Sequence, residues 1–166
     1  MILPVGTVLK YNDYPHGDDG EVKPYWFVVM GRTSFLHQPQ YYFLFKTTAQ
    51  YQYYKSDGER INSHHKLLKC DVYTFFERDC YIDFDLPIFD RHTVEEVDSL
   101  INTGKIELRG RLEKILPELY HLSIKGAGAS FKVKELLHSS FNTDGVTGLR
   151  KPQQRDKNYY RKKFSL

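Results

Sequence analysis

Along the first seventy residues, apolar and polar positions trade places with the period of strands rather than helices. Val5–Tyr11, "VGTVLKY", alternates at period two, and the following "NDYPHGDDGE" supplies the Asn, Asp, Pro and Gly of a long loop. Tyr25–Met30, "YWFVVM", is a run of six apolar residues without alternation, the pattern of a strand covered on both faces. After the connection "RTSFLHQPQ", Tyr41–Thr48, "YYFLFKTT", predicts an aromatic-rich third strand. "QYQYYK" alternates again, as a further strand would, until "SDGER" breaks it with a central Asp-Gly turn. "HKLLKC" and "CYIDFDL" predict two more short strands on either side of "DVYTFFERD", whose pattern fits neither period.

The second half changes period. In "HTVEEVDSLINTG", Thr93 and Glu96 have the spacing of a capping box. Val94, Val97, Leu100 and Ile101 then share one helical face, and Gly104 stands where a helix-terminating glycine belongs. "KIELRG" reads as a brief strand or a turn. "LPELYHLSIKG" resumes helical spacing with Pro117 suited to a first turn, and "AGASFKVKELLHSSF" predicts another helix after a Gly-rich break. Five or six short strands followed by two or three helices make an α+β chain, a small curled sheet or barrel with helices on one side. The packed domain is expected over 1–141 and a basic tail over 142–166.

Composition narrows the class. At 166 residues the chain suits one domain, and its 40% apolar and 15% aromatic content is that of a globular protein. The aromatics are 13 Tyr and 11 Phe, which favour strands and half-wet surfaces over a helical bundle. The longest apolar run is too short to span a bilayer, and no basic stretch followed by an apolar one opens the chain as in a signal peptide. No membrane partner is therefore expected. Cys70 and Cys80 lack metal-site or disulfide-framework spacing, so a reducing cytoplasm is the expected compartment. The net charge of +3 is unevenly spread: residues 150–166 carry seven Lys and Arg against Asp156 alone, a surplus of +6 that leaves the rest at −3. Such a tail binds nucleic acid or an acidic partner, or is simply a solvated terminus.

Phosphate-binding glycine loops, the His-Glu-x-x-His zinc signature and the Gly-x-Ser-x-Gly elbow are absent. Adjacent His64 and His65 lack a convincing set of further ligands, and Asp83, Asp85 and Asp90 read as a solvent-facing strand edge as readily as a cation site. What remains is Lys23 at the mouth of one strand, Thr47 and Thr48 closing another, and a tyrosine-rich loop nearby. Cation, hydroxyl and aromatic ring together suit phosphodiester recognition, with bases stacking on Tyr or on Trp26. Tyrosines on a sheet equally serve cross-strand packing.

The order of these segments resembles the MazF/PemK family of toxin endoribonucleases over roughly residues 3–125. "GTVLKYNDYPHGDDGEVKPYWFVVM" has the family's opening strand, glycine-containing loop and cation-proline step, with Lys23-Pro24 where the family has Arg-Pro. "FLFKTTAQ" matches the strand that ends in a catalytic Thr or Ser, "FERDCYIDFDLPIFD" a later strand, and "GRLEKILPELYHLSI" the closing helix. The resemblance implies an SH3-like barrel of mostly antiparallel strands with flanking helices, a homodimer, and an antitoxin protein as partner. It implies cleavage of single-stranded RNA by attack of the ribose 2′-OH, without metal or other cofactor. Lys23 and Thr48 fall on the catalytic positions, with Thr47 beside them. Lysine offers one movable charge where arginine offers a two-pronged fork, so Arg32 and His16 are the candidates to supplement it. The inserted helix "HTVEEVDSLINTG" and the basic tail depart from the family pattern. The same barrel without the chemistry would be an RNA- or protein-binding module.

Overall fold

The computed structural model describes residues 1–17, 20–88 and 90–153. The basic stretch from 154 onward lies outside the described residues. The described residues form seven strands and three α-helices in the order β1 (Thr7–Tyr14), β2 (Lys23–Arg32), β3 (Tyr41–Thr48), β4 (His65–Leu68), β5 (Cys80–Asp83), β6 (Asp90–Thr93), α1 (Val94–Asn102), β7 (Ile106–Arg111), α2 (Leu116–Lys125) and α3 (Phe131–Thr143). All pairings are antiparallel and give one curled sheet, β4-β5-β3-β2-β1-β7. β3 is its pivot. One edge pairs with β2, while the other pairs with β6 along Tyr41–Leu44 and with β5 at Thr47 and Thr48. Two strands sharing one edge force the sheet to bend where β6 stops and β5 begins. The expected α+β class and curled antiparallel sheet are therefore present, the sheet closing only as far as a half-barrel.

The helices are not confined to one side, as expected, but cover both faces. β2 shows why, because its "YWFVVM" run points to two separate cores. Tyr25, Phe27 and Val29 join Leu9, Tyr14, Tyr42 and Leu44 beneath Val97 of α1. Val28 and Met30 join Phe43, Phe45 and Ile82 beneath Leu119, Leu137 and Phe141 of α2 and α3. Period-two alternation sends neighbours to opposite faces, so a strand apolar on both faces needs two lids. Each fully buried side chain of this size contributes about 1.5–3 kcal/mol of transfer free energy. Helix α1 is thus a structural lid. Its predicted cap forms: Thr93 Oγ1 accepts from the Glu96 amide at 3.0 Å, and the Glu96 carboxylate accepts from the Thr93 amide at 2.9 Å. Gly104 follows with φ +75°, the left-handed conformation that glycine adopts freely. Gly31 serves close approach: a Cβ there would lie 2.7 Å from the Leu137 side chain, so its absence lets α3 settle on β2.

Three local expectations need correction. "QYQYYK" is not a strand: Tyr51–Tyr53 form a single 3₁₀ turn directly after β3. Asp90–Thr93 form a strand that their polar pattern did not announce. The expected domain boundary at 141 falls inside α3, and the chain stays packed beyond it, with Val146 and Leu149 against the larger core and the Tyr120 hydroxyl donating to the Arg150 carbonyl. Among the described residues no helix is long and apolar enough to cross a membrane.

Candidate functional site

The mouth of β2 and the end of β3 lie side by side because the two strands run antiparallel, Phe27 opposite Lys46 and Val28 opposite Phe45. Beyond that register the strands open into a cleft of about 510 Å³. Lys23, Trp26, Thr47 and Thr48 all line it, so four of the six sequence-predicted site residues come together. Lys46, Gln50, Tyr51, Glu77 and Arg78 complete the walls that matter chemically. Three cations face one carboxylate there, and Glu77 is itself engaged by the Lys10 ammonium at 2.6 Å. That bond holds the Glu77 carboxyl below the usual carboxylate range. The cleft wall consequently carries an excess of positive charge.

The two threonines differ in accessibility. Thr47 is buried, and its hydroxyl donates to the Trp26 carbonyl at 3.2 Å, tying β3 to β2. Thr48 is half-buried, and its Oγ1 accepts from the Gln50 amide at 3.3 Å. A hydroxyl has one proton and two lone pairs, so this leaves the Thr48 proton for a ligand oxygen. Cys80, next to Thr47, is held as a thiol, since burial pushes its pKa up to about 12.

Of the two kinds of ring that the sequence offered, a tyrosine is open and Trp26 is not. Trp26 packs against Phe76 at 5.4 Å between centroids and carries the Lys10 ammonium at 5.6 Å and the Arg109 guanidinium at 5.2 Å from its ring centre. Its ring is thereby engaged within the protein, where cation–π contacts hold Lys10 and Arg109 at the rim. Tyr51, on the 3₁₀ turn, is 66% exposed and offers the open ring of the cleft. Tyr25 is covered by Lys46 at 4.6 Å and by Lys23 at 5.7 Å, which gathers both ammonium groups over one ring.

Two predicted residues stand apart. Arg32 ends β2 at the opposite end from Lys23, and its guanidinium grips Asp144 with bonds of 2.9 and 2.6 Å. It is a clamp between the sheet and the end of α3, and it takes no part in the cleft. His16 is exposed just beyond β1, its ring 5.7 Å from that of Tyr14, and is not among the cleft walls. The residues that sequence reasoning missed are Lys46, Arg78 and Tyr51. Lys46 carried a signal, being the one charge in the otherwise uncharged "YYFLFKTT". Arg78 and Tyr51 reach the cleft from irregular segments and carried none.

The acidic and histidine clusters are internal braces. Asp83 accepts from the Tyr54 hydroxyl at 3.0 Å, Arg60 Nε at 2.5 Å and the Asp85 amide at 3.0 Å. Asp85 accepts from the amides of His64 and Ala127 and pairs with His64 Nδ1. The side chain of Asp90 lies outside the described residues. Among the described residues no group of three or more His, Cys, Asp or Glu is placed to hold a metal ion. No family model, curated protein or solved structure matches this chain.

Proposed function

We propose that this chain acts on single-stranded RNA in the β2–β3 cleft, as a metal-independent endoribonuclease of the MazF/PemK kind on an SH3-like barrel. The observation that carries this reading is the meeting of Lys23 and Thr48 in one cationic cleft with Lys46 and Arg78. Attack of a ribose 2′-oxygen on the adjacent phosphorus breaks the bond to the 5′-oxygen and leaves a 2′,3′-cyclic phosphate and a 5′-hydroxyl. Negative charge grows on the phosphoryl oxygens as this happens. Lys23 and Lys46 balance that charge, and the Thr48 hydroxyl donates to one of the oxygens. Glu77 is the one carboxylate on the cleft wall among the described residues and receives the 2′-proton, while solvent water gives a proton to the departing 5′-oxygen. With this reading go a cytoplasmic location, a homodimer, an antitoxin protein as partner in a toxin–antitoxin or defence system, and a contribution of the basic tail to RNA affinity.

A second reading, a binding module without cleavage, is favoured by a specific observation. The cleft walls contain no histidine among the described residues, and its carboxylate is ion-paired. No group there ordinarily titrates near neutral pH, where general bases work best. Incubation of the protein with mixed-sequence RNA and a chelator separates the two. Products ending in cyclic phosphate, absent with Thr48→Val and with Lys23→Ala, establish the nuclease. Salt-sensitive binding without products establishes the module. RNA that is neither bound nor cut at high protein concentration removes both.

A further inference from the structure

The end of β3 is a ridge with a cavity on either side. The second cavity, about 660 Å³, shares Lys46, Thr47, Thr48 and Gln50 with the first. Beyond that shared ridge its walls are of another kind. Phe45, Leu86, Pro87 and Ile88 make it apolar, Tyr53 adds a ring, and Tyr54, Glu59, Arg60 and Asp83 supply its polar groups.

The 3₁₀ turn explains how two tyrosines come to serve two cavities. On a strand, Tyr51 and Tyr53 would point the same way, because side chains alternate with period two. At three residues per turn, positions i and i+2 are about 240° apart. Tyr51 therefore lines the first cleft and Tyr53 the second. Tyr54 also lines the second cavity, but its ring is stacked on Tyr81 at 4.4 Å and its hydroxyl donates to Asp83, which lines it too. Asp83 also takes Nε of Arg60, which fixes the guanidinium plane and leaves its terminal amino groups as donors.

Resting on the RNA reading above, we propose that this second cavity is a base-binding subsite that takes an unstacked guanine neighbouring the phosphate held at Lys46 and Thr48. An apolar wall with a tyrosine ring suits a flat heterocycle turned out of a single strand. Glu59 and Arg60 set which one. A carboxylate beside a guanidinium asks for paired donors next to an acceptor. Guanine alone of the four bases presents N1–H and N2–H side by side, with O6 adjacent. Adenine and cytosine offer one amino group each, and uracil a single N–H between two acceptors.

The test uses the full chain and two labelled oligonucleotides, eight uridines and the same strand with one central guanosine, followed by fluorescence anisotropy. The guanosine strand should bind about tenfold tighter, the discrimination typical of one well-paired base edge. Glu59→Gln, at an exposed position, should reduce that ratio to about twofold or less by the same arithmetic, with the uridine strand unaffected. Tyr53→Ala should weaken the guanosine strand more than the uridine strand. Lys46→Ala should weaken both alike, because it acts on phosphate. Equal binding of the two strands, or a guanosine preference that survives Glu59→Gln, overturns the subsite while leaving the RNA reading standing. If neither strand binds, or if Lys46→Ala changes nothing, the RNA reading fails and the subsite with it.

Discussion

The two ends of β2 each carry a cation, and they do opposite work. At its end, Arg32 is 9% exposed and locked in a two-bond pair with Asp144, whose carboxylate also accepts from the Val5 amide at 2.8 Å. At its mouth, Lys23 is exposed and stands over the Tyr25 ring beside Lys46, on the wall of the cationic cleft. The difference lies in what surrounds each charge: the buried cation is matched by a buried carboxylate, whereas the exposed one is solvated at the cleft wall. The sharpest way to break this comparison is to remove the matched anion or its partner. Arg32→Ala should destabilise the fold by about 3 kcal/mol or more, because it strands a buried carboxylate. Chemical denaturation would measure it, and RNA affinity per folded molecule should not change. Burial works against the Asp144 charge, but the Arg32 and Val5 bonds win and hold its carboxyl below the usual range. Its stabilising contribution is thus complete above the unfolded carboxylate value of about 3.9 and is lost as pH falls through the lower folded value. Asp144→Asn should accordingly flatten the acid limb of the stability profile in that window. An unchanged limb would mean that the pair contributes nothing.

A milder change sharpens the other end. Lys23→Ala should weaken RNA binding by about tenfold, the worth of one well-placed charge contact, while leaving stability within about 0.5 kcal/mol. Lys23→Arg should do the reverse for cleavage. A fork that grips two phosphoryl oxygens holds the transition state better than a single ammonium, so turnover should rise more than affinity. Turnover that falls in Lys23→Arg would show that the site is shaped around lysine and would count against the proposed MazF/PemK-like chemistry at this position.

The pattern of the chain carried the fold further than the site. β3 has the predicted bounds, the Thr93–Glu96 cap formed, and "YWFVVM" is covered on both faces as an unalternating run should be. β6 escaped because "DRHT" has no apolar period to detect, and it owes its pairing to the free edge that β3 offers it. "QYQYYK" misled because three tyrosines in four residues satisfy alternation by composition alone, while the chain leaving β3 must turn at once to make room for β5. In the site, Lys23, Trp26, Thr47 and Thr48 were legible as residues flanking adjacent strands. The contrast between Lys23 and Arg32 was not. It depends on Asp144, 112 positions away from Arg32, which local patterning cannot see. The same holds for Trp26, whose ring is occupied by Lys10 and Arg109 from β1 and β7.

The smallest expected effect separates two adjacent threonines that the sequence leaves equivalent. Successive residues of a strand face opposite ways, and β3 ends with Thr47 turned towards Trp26 and the core while Thr48 stays half-buried. Thr47→Val keeps the shape and removes the hydroxyl that donates to the Trp26 carbonyl, so it should cost about 1 kcal/mol of stability, the net worth of one such bond. Thr48→Val removes only an acceptor for the Gln50 amide, which water can replace at that exposed residue, and should stay within about 0.5 kcal/mol. Function should divide the other way, with RNA chemistry lost in Thr48→Val and retained in Thr47→Val. Thermal unfolding and cleavage measured on the same two preparations give the comparison directly. Should Thr47→Val abolish cleavage at intact stability, the transition-state donor would be the core-facing hydroxyl, and the RNA would have to enter from the Trp26 side.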